Sequence, residues 1–441
     1  MKKLISLTAL ILLSAYLTAC GGGGGGSDEN PAPGTLDASF GTGGIVITDY
    51  EYGGSSTYLE INAMAIQSDG KIVVAGYIDN EDNNTEDFIV ARYNSNGTLD
   101  DTFGTNGMAI TDFNDKEDRA TAIAIQTDGK IVVAGITDRA GNVNFALARY
   151  NINGELDNSF SSGKVTTDLG TNQNDNAYAI ALQLDGKIVV VGYTYDSSVN
   201  KFAVVRYNSN GAIDTGFGNS GIVKTEIPSS SNAYASSVAI DNSGKIIVAG
   251  SAHVSGKNVF VLARYNSSNG TLDNGFDSDG IVTTEFGSNS ATASALALQS
   301  DGKIVVAGTT INSSSPGALN YALARYNTNG SLDNSFGSTG KVETYINNDQ
   351  QYTNIYAMKI QSNGKIVVAG NKDKHCAFAR YNADGTVDTT FGSNGFVFKT
   401  IGNESVINSL ALQSDGKIVA GGYMEDSDSS TSNFLLMRLW P

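Results

Sequence analysis

The chain has 441 residues, a formal net charge of −17 and a composition that is 40% hydrophobic. This charge argues against nucleic acid as a partner, because phosphates bind basic surfaces, and it indicates a well-solvated surface that avoids anionic lipid. The 51 glycines, the 5 prolines and the many Ile, Val and Thr residues predict short strands joined by glycine turns.

The N-terminal segment MKKLISLTALILLSAYLTAC joins two lysines to an apolar stretch, Leu4–Ala19, that is short for a membrane span and typical of an export signal. Its end, Leu17-Thr18-Ala19-Cys20, resembles the bacterial lipobox. That resemblance implies cleavage before Cys20 and acylation of Cys20. Because Gly21 rather than Asp follows Cys20, it also implies the outer membrane. Which side of that membrane the protein faces is left open. The alternative is an ordinary signal peptide that contains a chance Cys.

The segment GGGGGGSDENPAP follows Cys20 and predicts a flexible tether. The expected organisation is a signal peptide at 1–19, a lipidated Cys with its tether at 20–33, and one folded domain at 34–441. Acyl chains on Cys20 would anchor this domain without a spanning helix. Cys376 would then be the one remaining thiol, so no internal disulfide is expected.

The decapeptide QSDGKIVVAG at 67–76 recurs, with variations, in seven units spaced 52 to 62 residues apart. Each unit predicts four strands, and in the second unit Asp128-Gly129 predicts the turn between the first two. The predicted strands of that unit are Ala122–Gln126, Lys130–Gly135, Phe145–Asn151 and Lys164–Asp168. Four antiparallel strands repeated radially predict an all-β, seven-bladed β-propeller. A parallel β-helix is the alternative, although it needs shorter coils.

The two ends of the repeat region complement each other. The last unit stops after its third strand, NFLLMRLWP, and GTLDASFGTGGIVIT near the start contains a fourth strand without the preceding three. We therefore expect Ile45–Thr48 to pair with Phe434–Leu439 and to complete the last blade. This arrangement leaves no open edge.

The words DGKIVVAG, ARYN and GxLDxxFGxxG resemble the delta-60 repeat family and, more distantly, the NHL-type propellers. The resemblance covers about residues 34–441. It implies a propeller fold and attaches no reaction to the chain.

Each unit carries an Arg in the ARYN word and an Asp in the LD word. In most units the Arg and the Asp lie eight residues apart across a turn, which would allow their side chains to pair bidentately. We interpret the pairs as structural ties, and seven acid or binding sites are the alternative. Examples are Arg92 with Asp100, Arg149 with Asp157 and, across the chain ends, Arg438 with Asp37. The recurring Phe of the FG word is expected in the core.

Candidate ligand contacts fall where the repeat is broken. Lys359 replaces a recurring inner-strand Ala and is expected to face the channel or a ligand, unless it only varies the packing. Lys374 and His375 form a small basic patch beside Cys376; because His375 and Cys376 alternate on a strand, a shared metal is not expected.

Acidic residues mark two loops, Asp79–Asp87 and Glu425–Ser430. Asp79, Asp82 and Glu86 are candidate ligand contacts, and these loops could also bind Ca²⁺, although they lack the EF-hand spacing. Strand alternation places the divergent loops on one face of the disc. They are Tyr77–Asp87, Asp112–Arg119, Tyr193–Lys201, Thr309–Asn320, Ile346–Thr353 and Tyr423–Asn433.

Three function classes remain open. The sequence has two histidines, His253 and His375, and one Trp. These small numbers argue against a catalytic triad, a zinc hydrolase and a quinone-dependent enzyme. No metal and no cofactor is expected apart from the Ca²⁺ considered above. We expect a monomeric, lipid-anchored propeller that binds a protein or glycan through its variable-loop face. The alternatives are a scaffold subunit of an outer-membrane assembly and a carboxylate-based carbohydrate-active enzyme.

Overall fold

A computed structural model describes residues 31–50, 57–80, 85–113, 117–139, 141–170, 174–196, 198–311, 319–346, 353–426 and 431–441. One compact unit spans Ala32–Pro441. Cys20, the predicted signal peptide, most of the predicted tether and Asp82 lie outside the described residues. Within the described ranges, every helix is too short or too polar for a membrane span.

The described chain is built of strands and one 3₁₀ turn at Ser161–Gly163. The first strand, β1, is Ile45–Thr48. The first three blades follow as β2 (Thr57–Ile66), β3 (Ile72–Asn80), β4 (Thr85–Tyr93), β5 (Met108–Thr111), β6 (Asp118–Ile125), β7 (Ile131–Arg139), β8 (Asn142–Tyr150), β9 (Lys164–Thr167), β10 (Asp175–Leu182), β11 (Ile188–Asp196), β12 (Val199–Tyr207) and β13 (Ile222–Thr225).

The remaining blades continue the same order. They comprise β14 (Ser230–Ile240), β15 (Ile246–Val254), β16 (Lys257–Tyr265), β17 (Ile281–Thr284), β18 (Ser290–Leu298), β19 (Ile304–Ile311), β20 (Leu319–Tyr326), β21 (Lys341–Thr344), β22 (Thr353–Ile360), β23 (Ile366–Lys372), β24 (His375–Tyr381), β25 (Phe396–Lys399), β26 (Glu404–Leu412), β27 (Ile418–Glu425) and β28 (Ser432–Leu439).

Each blade is an antiparallel sheet whose strands pair in chain order, and the innermost strands are β2, β6, β10, β14, β18, β22 and β26. These seven strands contact one another in sequence, and β26 in turn contacts β2. The seven-bladed propeller predicted from the repeats is confirmed. Because the strands alternate in direction, the DGK turns share one face with the third-to-fourth turns, and the divergent loops share the other, which we call the variable-loop face.

The last blade is completed by the N-terminal strand. β1 pairs with β28 in the register Ile45↔Met437 to Thr48↔Phe434. Further main-chain bonds join Gly34 N to Trp440 O at 2.9 Å and Asp37 N to Arg438 O at 2.8 Å. The predicted pairing of the two ends is therefore confirmed, and it gives β28 the outer neighbour that the third strand has in every other blade.

The strands extend further toward the variable-loop face than the sequence predicts. The first three strands of the second blade were expected to begin or end at Ala122, Gly135 and Phe145, but they reach Asp118, Arg139 and Asn142. Stretches expected as loops, such as Tyr77–Asp87 and Tyr193–Lys201, are therefore largely strand ends. Cross-strand pairing continues here, as in the pairs Asp79↔Glu86 and Tyr195↔Asn200.

The repeated Arg and Asp side chains form a three-membered polar cluster in each blade. In the second blade Arg149 Nε and Lys130 Nζ both donate to Asp157 Oδ2, each at 2.8 Å, while the main-chain N–H and hydroxyl of Ser159 donate to Oδ1. The expected pair is present, but Arg149 contacts only Oδ2 of the carboxylate, because Ser159 occupies Oδ1. The Arg–Asp pairs are Arg92–Asp100, Arg149–Asp157, Arg206–Asp214, Arg264–Asp273, Arg325–Asp333, Arg380–Asp388 and Arg438–Asp37.

The same Arg links its blade to the next one. Arg149 Nη1 donates to the carbonyl of Ser209, 60 residues along the chain, at 2.5 Å. Its guanidinium carbon lies 4.6 Å from the ring centroid of Phe160. On the other side, the hydroxyl of Tyr150 lies 2.8 Å from that of Thr111 in the preceding blade. The ARYN word therefore stabilises contacts between blades as well as within them.

Candidate functional site

Each innermost strand contains a β-bulge where it pairs with the second strand. In the first blade Ile61 pairs with Gly76 and Ala63 with Ala75, which leaves Asn62 as the extra residue. A Cβ at Gly76 would lie 1.7 Å from the main-chain oxygen of Glu60, so the last glycine of the decapeptide permits the bulge. The bulged residues are Asn62, Thr121, Tyr178, Ser236, Ser294, Tyr356 and Asn408.

All seven bulged residues line one cavity of about 520 Å³ at the axis of the ring. Glu404 is the first residue of its inner strand, and Asn371 and Tyr423 lie near the outer ends of second strands. These positions lie toward the variable-loop face, so the cavity is the mouth of the central channel on that face. We call it the channel cavity.

Tyrosines and amides dominate the wall of the channel cavity. Tyr178 and Tyr356 are each 42% exposed, which is high for such a large side chain. Tyr178 stacks on Tyr193 with ring centroids 5.9 Å apart, and Tyr193 meets the edge of Tyr234 at 4.9 Å. This cluster offers flat apolar faces together with hydroxyl groups that donate and accept hydrogen bonds.

Glu60 is a half-buried carboxylate that lines the channel cavity. It accepts hydrogen bonds from the Tyr77 hydroxyl at 2.7 Å and from Asn408 Nδ2 at 2.9 Å. Burial raises the pKa of Glu60, although these two hydrogen bonds and the charge of Arg119 oppose that shift. Arg119 lies over the ring of Tyr77 at 5.2 Å. Glu60 is therefore held by hydrogen bonds from the first and seventh blades.

Lys359 lies one layer deeper, on β22. It is exposed to water, and β22 belongs to the innermost ring of strands, so its ammonium group reaches solvent in the channel. The surrounding protein nevertheless removes much of its hydration, and this desolvation lowers the pKa of Lys359. The structure thus places this predicted ligand contact in the channel, below the ring of bulged residues.

The basic patch of the sixth blade lines a neighbouring cavity. Lys374 and His375 border about 610 Å³ of space with Asn371 and Glu404, which also border the channel cavity. His375 Nδ1 lies 3.0 Å from the Thr400 hydroxyl. Cys376 on the opposite side of the strand is fully buried, and burial raises its pKa to about 12.

Two of the three acidic residues predicted as ligand contacts, Asp79 and Glu86, lie on strands of the first blade. Asp79 and Glu86 face each other across β3 and β4. Glu86 forms an ion pair with Arg119 of the next blade, with Arg119 Nη2 at 2.5 Å from Oε1. Glu86 is therefore engaged in an ion pair between the first and second blades. No structural fact bears on Asp82.

Sequence patterns did not point to the channel cavity. The bulged residues differ from unit to unit, so the repeat conceals them, although a glycine that recurs within a buried strand is the usual sign of a bulge. The sequence also did not show that Asp87, Asp112 and Asp118 converge, because they lie on or directly after three different strands.

The family model described as "Domain of unknown function (DUF5122) beta-propeller" matches residues 67–103, 126–160, 183–217, 242–276, 299–336, 361–391 and 413–441. The chain belongs to this family. No curated protein matches it.

Solved structures share the fold at low identity. Polysaccharide lyase Uly1 matches with 13% identity and a TM-score of 0.51, over 89% of this chain and 92% of that chain. An ulvan lyase matches with 13% identity and a TM-score of 0.46, over 82% and 89%. An α-L-arabinofuranosidase from Fusarium graminearum matches with 11% identity and a TM-score of 0.45, over 72% and 92%. These similarities concern the fold alone.

Proposed function

We propose that this DUF5122 propeller is a saccharide-binding protein of the bacterial cell envelope that holds its ligand in the channel cavity. One observation carries the proposal. At a position that every blade repeats, the chain places seven exposed or half-exposed polar side chains of four kinds, all lining one cavity. Four of them donate to main-chain oxygens of the next inner strand and so also join the blades, whereas Tyr178 and Tyr356 are each 42% exposed. The four are Asn62, Thr121, Ser236 and Asn408.

The composition of the cavity favours a saccharide among possible ligands. Sugar rings present C–H faces that pack on tyrosine and hydroxyl groups that pair with Asn, Thr, Ser and Glu side chains. The volume of about 520 Å³ falls within the usual range for small-molecule sites. The net charge of −17 disfavours strongly anionic polymers. Uly1 is named as a polysaccharide lyase, but the likeness to it concerns the fold, so the cavity carries the argument.

The test is saccharide binding by the mature protein, screened on immobilised oligosaccharides and measured by calorimetry for the best ligand. Tyr178→Ala and Tyr356→Ala should each weaken binding by about tenfold or more, because each removes one ring face. Tyr345→Ala is the matched control, since Tyr345 is 59% exposed and is not among the residues that line the cavity. Unchanged affinity in both channel variants would contradict the proposal.

A second candidate, saccharide hydrolysis, rests on the two carboxylates of the cavity. Burial raises the pKa of Glu60, and Glu404 borders the same space. Glycoside hydrolysis uses two carboxyl groups that flank the scissile bond, and a raised pKa suits the one that acts as the acid. New reducing ends that form with the wild type and not with Glu60→Gln would support hydrolysis. If both proteins bind the saccharide and neither forms products, hydrolysis is contradicted and the binding function is retained.

The envelope location rests on the lipobox-like segment before Cys20. We propose that Cys20 is acylated and that the propeller is held at the outer membrane. Mass spectrometry of the mature N-terminus should find an acylated Cys20, and Cys20→Ser should release the protein. An unmodified, soluble wild type would contradict the anchor. A stoichiometric integral-membrane partner in native envelope complexes would instead favour the scaffold role.

A further inference from the structure

Three carboxylates converge where the first blade meets the second. Asp87 lies on β4, Asp112 follows β5, and Asp118 begins β6, so two blades contribute. One carboxylate oxygen from each lies within 4.8 Å of the other two. Asp112 is exposed, whereas Asp87 and Asp118 are 8% and 0% exposed. The cluster therefore has a buried interior and one side open to solvent.

Asp118, a fully buried member of this cluster, has one carboxylate oxygen without a hydrogen-bond partner among the described residues. Its Oδ2 accepts a hydrogen bond from the main-chain N–H of Phe113 at 2.6 Å, and Thr137 donates to the same carboxyl group. Oδ1 is buried and has no hydrogen-bond partner among the described residues. A buried carboxylate oxygen without a partner is costly. The equivalent Asp175 Oδ1 at the next junction also has no partner in the part of the chain that the structure describes, so the third carboxylate, Asp87, is what distinguishes the first junction.

The basic side chains beside this cluster are Lys164, which contacts the main chain of Asp112, and Arg119, which contacts Glu86. Within the described ranges, neither Asp87 nor Asp118 forms an ion pair, and the ammonium of Lys164 donates to the main-chain oxygen of Asp112 at 2.7 Å. Arg119, next in sequence, is paired with Glu86. Burial raises the pKa of Asp87 and of Asp118 to about 6, and the neighbouring Asp112 adds to both shifts.

The junction of the third and fourth blades has a lysine where the first junction has Asp87. At the junction of the third and fourth blades, Phe202 pairs with Thr225 as Phe88 pairs with Thr111 in the first blade. Lys201 therefore lies at the position of Asp87, and Glu226 lies at the position of Asp112. Lys201 Nζ lies 3.4 Å from Glu226 Oε2. There the protein supplies its own cation at a position where the first junction has a third carboxylate.

We propose that Asp87, Asp112 and Asp118 bind one divalent cation with a preference for hard oxygen ligands, Ca²⁺, which joins the first blade to the second. Carboxylates are the ligands that such cations select, and water can complete the shell on the open side. The ion would neutralise the three charges, use the free oxygen of Asp118 and connect three strands. This site is separate from the channel cavity and does not depend on the saccharide proposal.

The test uses the full chain, stripped with a chelator and titrated with CaCl₂ by calorimetry and by thermal denaturation. We expect one site with a dissociation constant of roughly 10⁻⁴ M or tighter and a higher melting temperature with Ca²⁺. Asp118→Asn should weaken binding by about tenfold or more and abolish the Ca²⁺-dependent shift. Without Ca²⁺, the same variant should melt at or above the wild type, because repulsion is removed.

Two further variants keep the result interpretable. Asp87→Asn places an amide where the second blade has Asn144, so it should fold and should lose Ca²⁺ binding. Asp175→Asn changes the residue equivalent to Asp118 at the next junction, and it should keep binding. Titration with MgCl₂ should give weaker binding, since Mg²⁺ demands a stricter geometry. No calcium binding by the wild type, or binding that survives both Asp118→Asn and Asp87→Asn, would overturn the proposal.

Discussion

Asp37→Ala tests whether one buried carboxylate holds the two chain ends together. Asp37 Oδ2 accepts from Arg438 Nε at 2.8 Å and lies 3.2 Å from Lys417 Nζ, and Oδ1 accepts from the hydroxyl of Ser39 at 2.7 Å. Asp37 and Arg438 are 2% and 6% exposed, although 401 residues separate them. The substitution removes every one of these contacts and leaves Arg438 buried.

Removing one partner of a buried ion pair costs about 3–5 kcal/mol. Arg438 keeps the carbonyl of Ser95 at 2.5 Å and the ring of Phe40 at 4.7 Å, and Lys417 keeps the ring of Trp440 at 4.4 Å. We therefore expect a loss near the lower end, about 3 kcal/mol in the free energy of unfolding. Asp157→Ala is the matched control, because it breaks the same cluster within a continuous blade.

Urea unfolding at pH 7 measures both variants, and hydrogen exchange locates the effect. Asp157→Ala should lose a similar free energy, whereas Asp37→Ala alone should accelerate exchange of the Ile45–Thr48 amides. The acceleration should be about 100-fold, since about 3 kcal/mol corresponds to two factors of ten. The reasoning is refuted if Asp37→Ala costs under about 0.5 kcal/mol while Asp157→Ala costs several times more.

Three other measurements probe the same packing. Burial opposes ionisation of Asp37, but Ser39, Lys417 and Arg438 outweigh it and lower its pKa from 3.8 to about 2. Because the folded state has the lower pKa, this stabilisation is present above about pH 4 and is lost as the pH falls toward 2. Urea midpoints should fall across that window, and less so in Asp37→Ala. Tyr93→Phe removes the 2.8 Å hydrogen bond to Thr48 of β1 and should cost about 1 kcal/mol in urea unfolding; no loss would show that this link is not stabilising. Cys376, with its pKa raised to about 12 by burial, should resist iodoacetamide near pH 8 until the protein unfolds, and rapid labelling of the native state would contradict its placement.

The repeated words were sufficient for the architecture, because each encodes a local preference. Asp128-Gly129 specifies a turn, Lys130–Gly135 a buried strand, and seven such units leave faces that only neighbouring units can cover. The complementary end segments predicted the pairing of β1 with β28 for the same reason: an unpaired third strand exposes an edge. Positions that repeat are therefore visible in the sequence without a structure.

The candidate sites were decided by the tertiary structure. Asn62, Thr121 and Tyr178 occupy one repeated position but share no residue type, and only closure of the ring brings them into one cavity. Asp87 and Asp118 lie on different blades, so their proximity depends on how two sheets pack. Local sequence encodes strands and turns through neighbouring residues, whereas a site assembled from seven blades depends on contacts that no sequence spacing records.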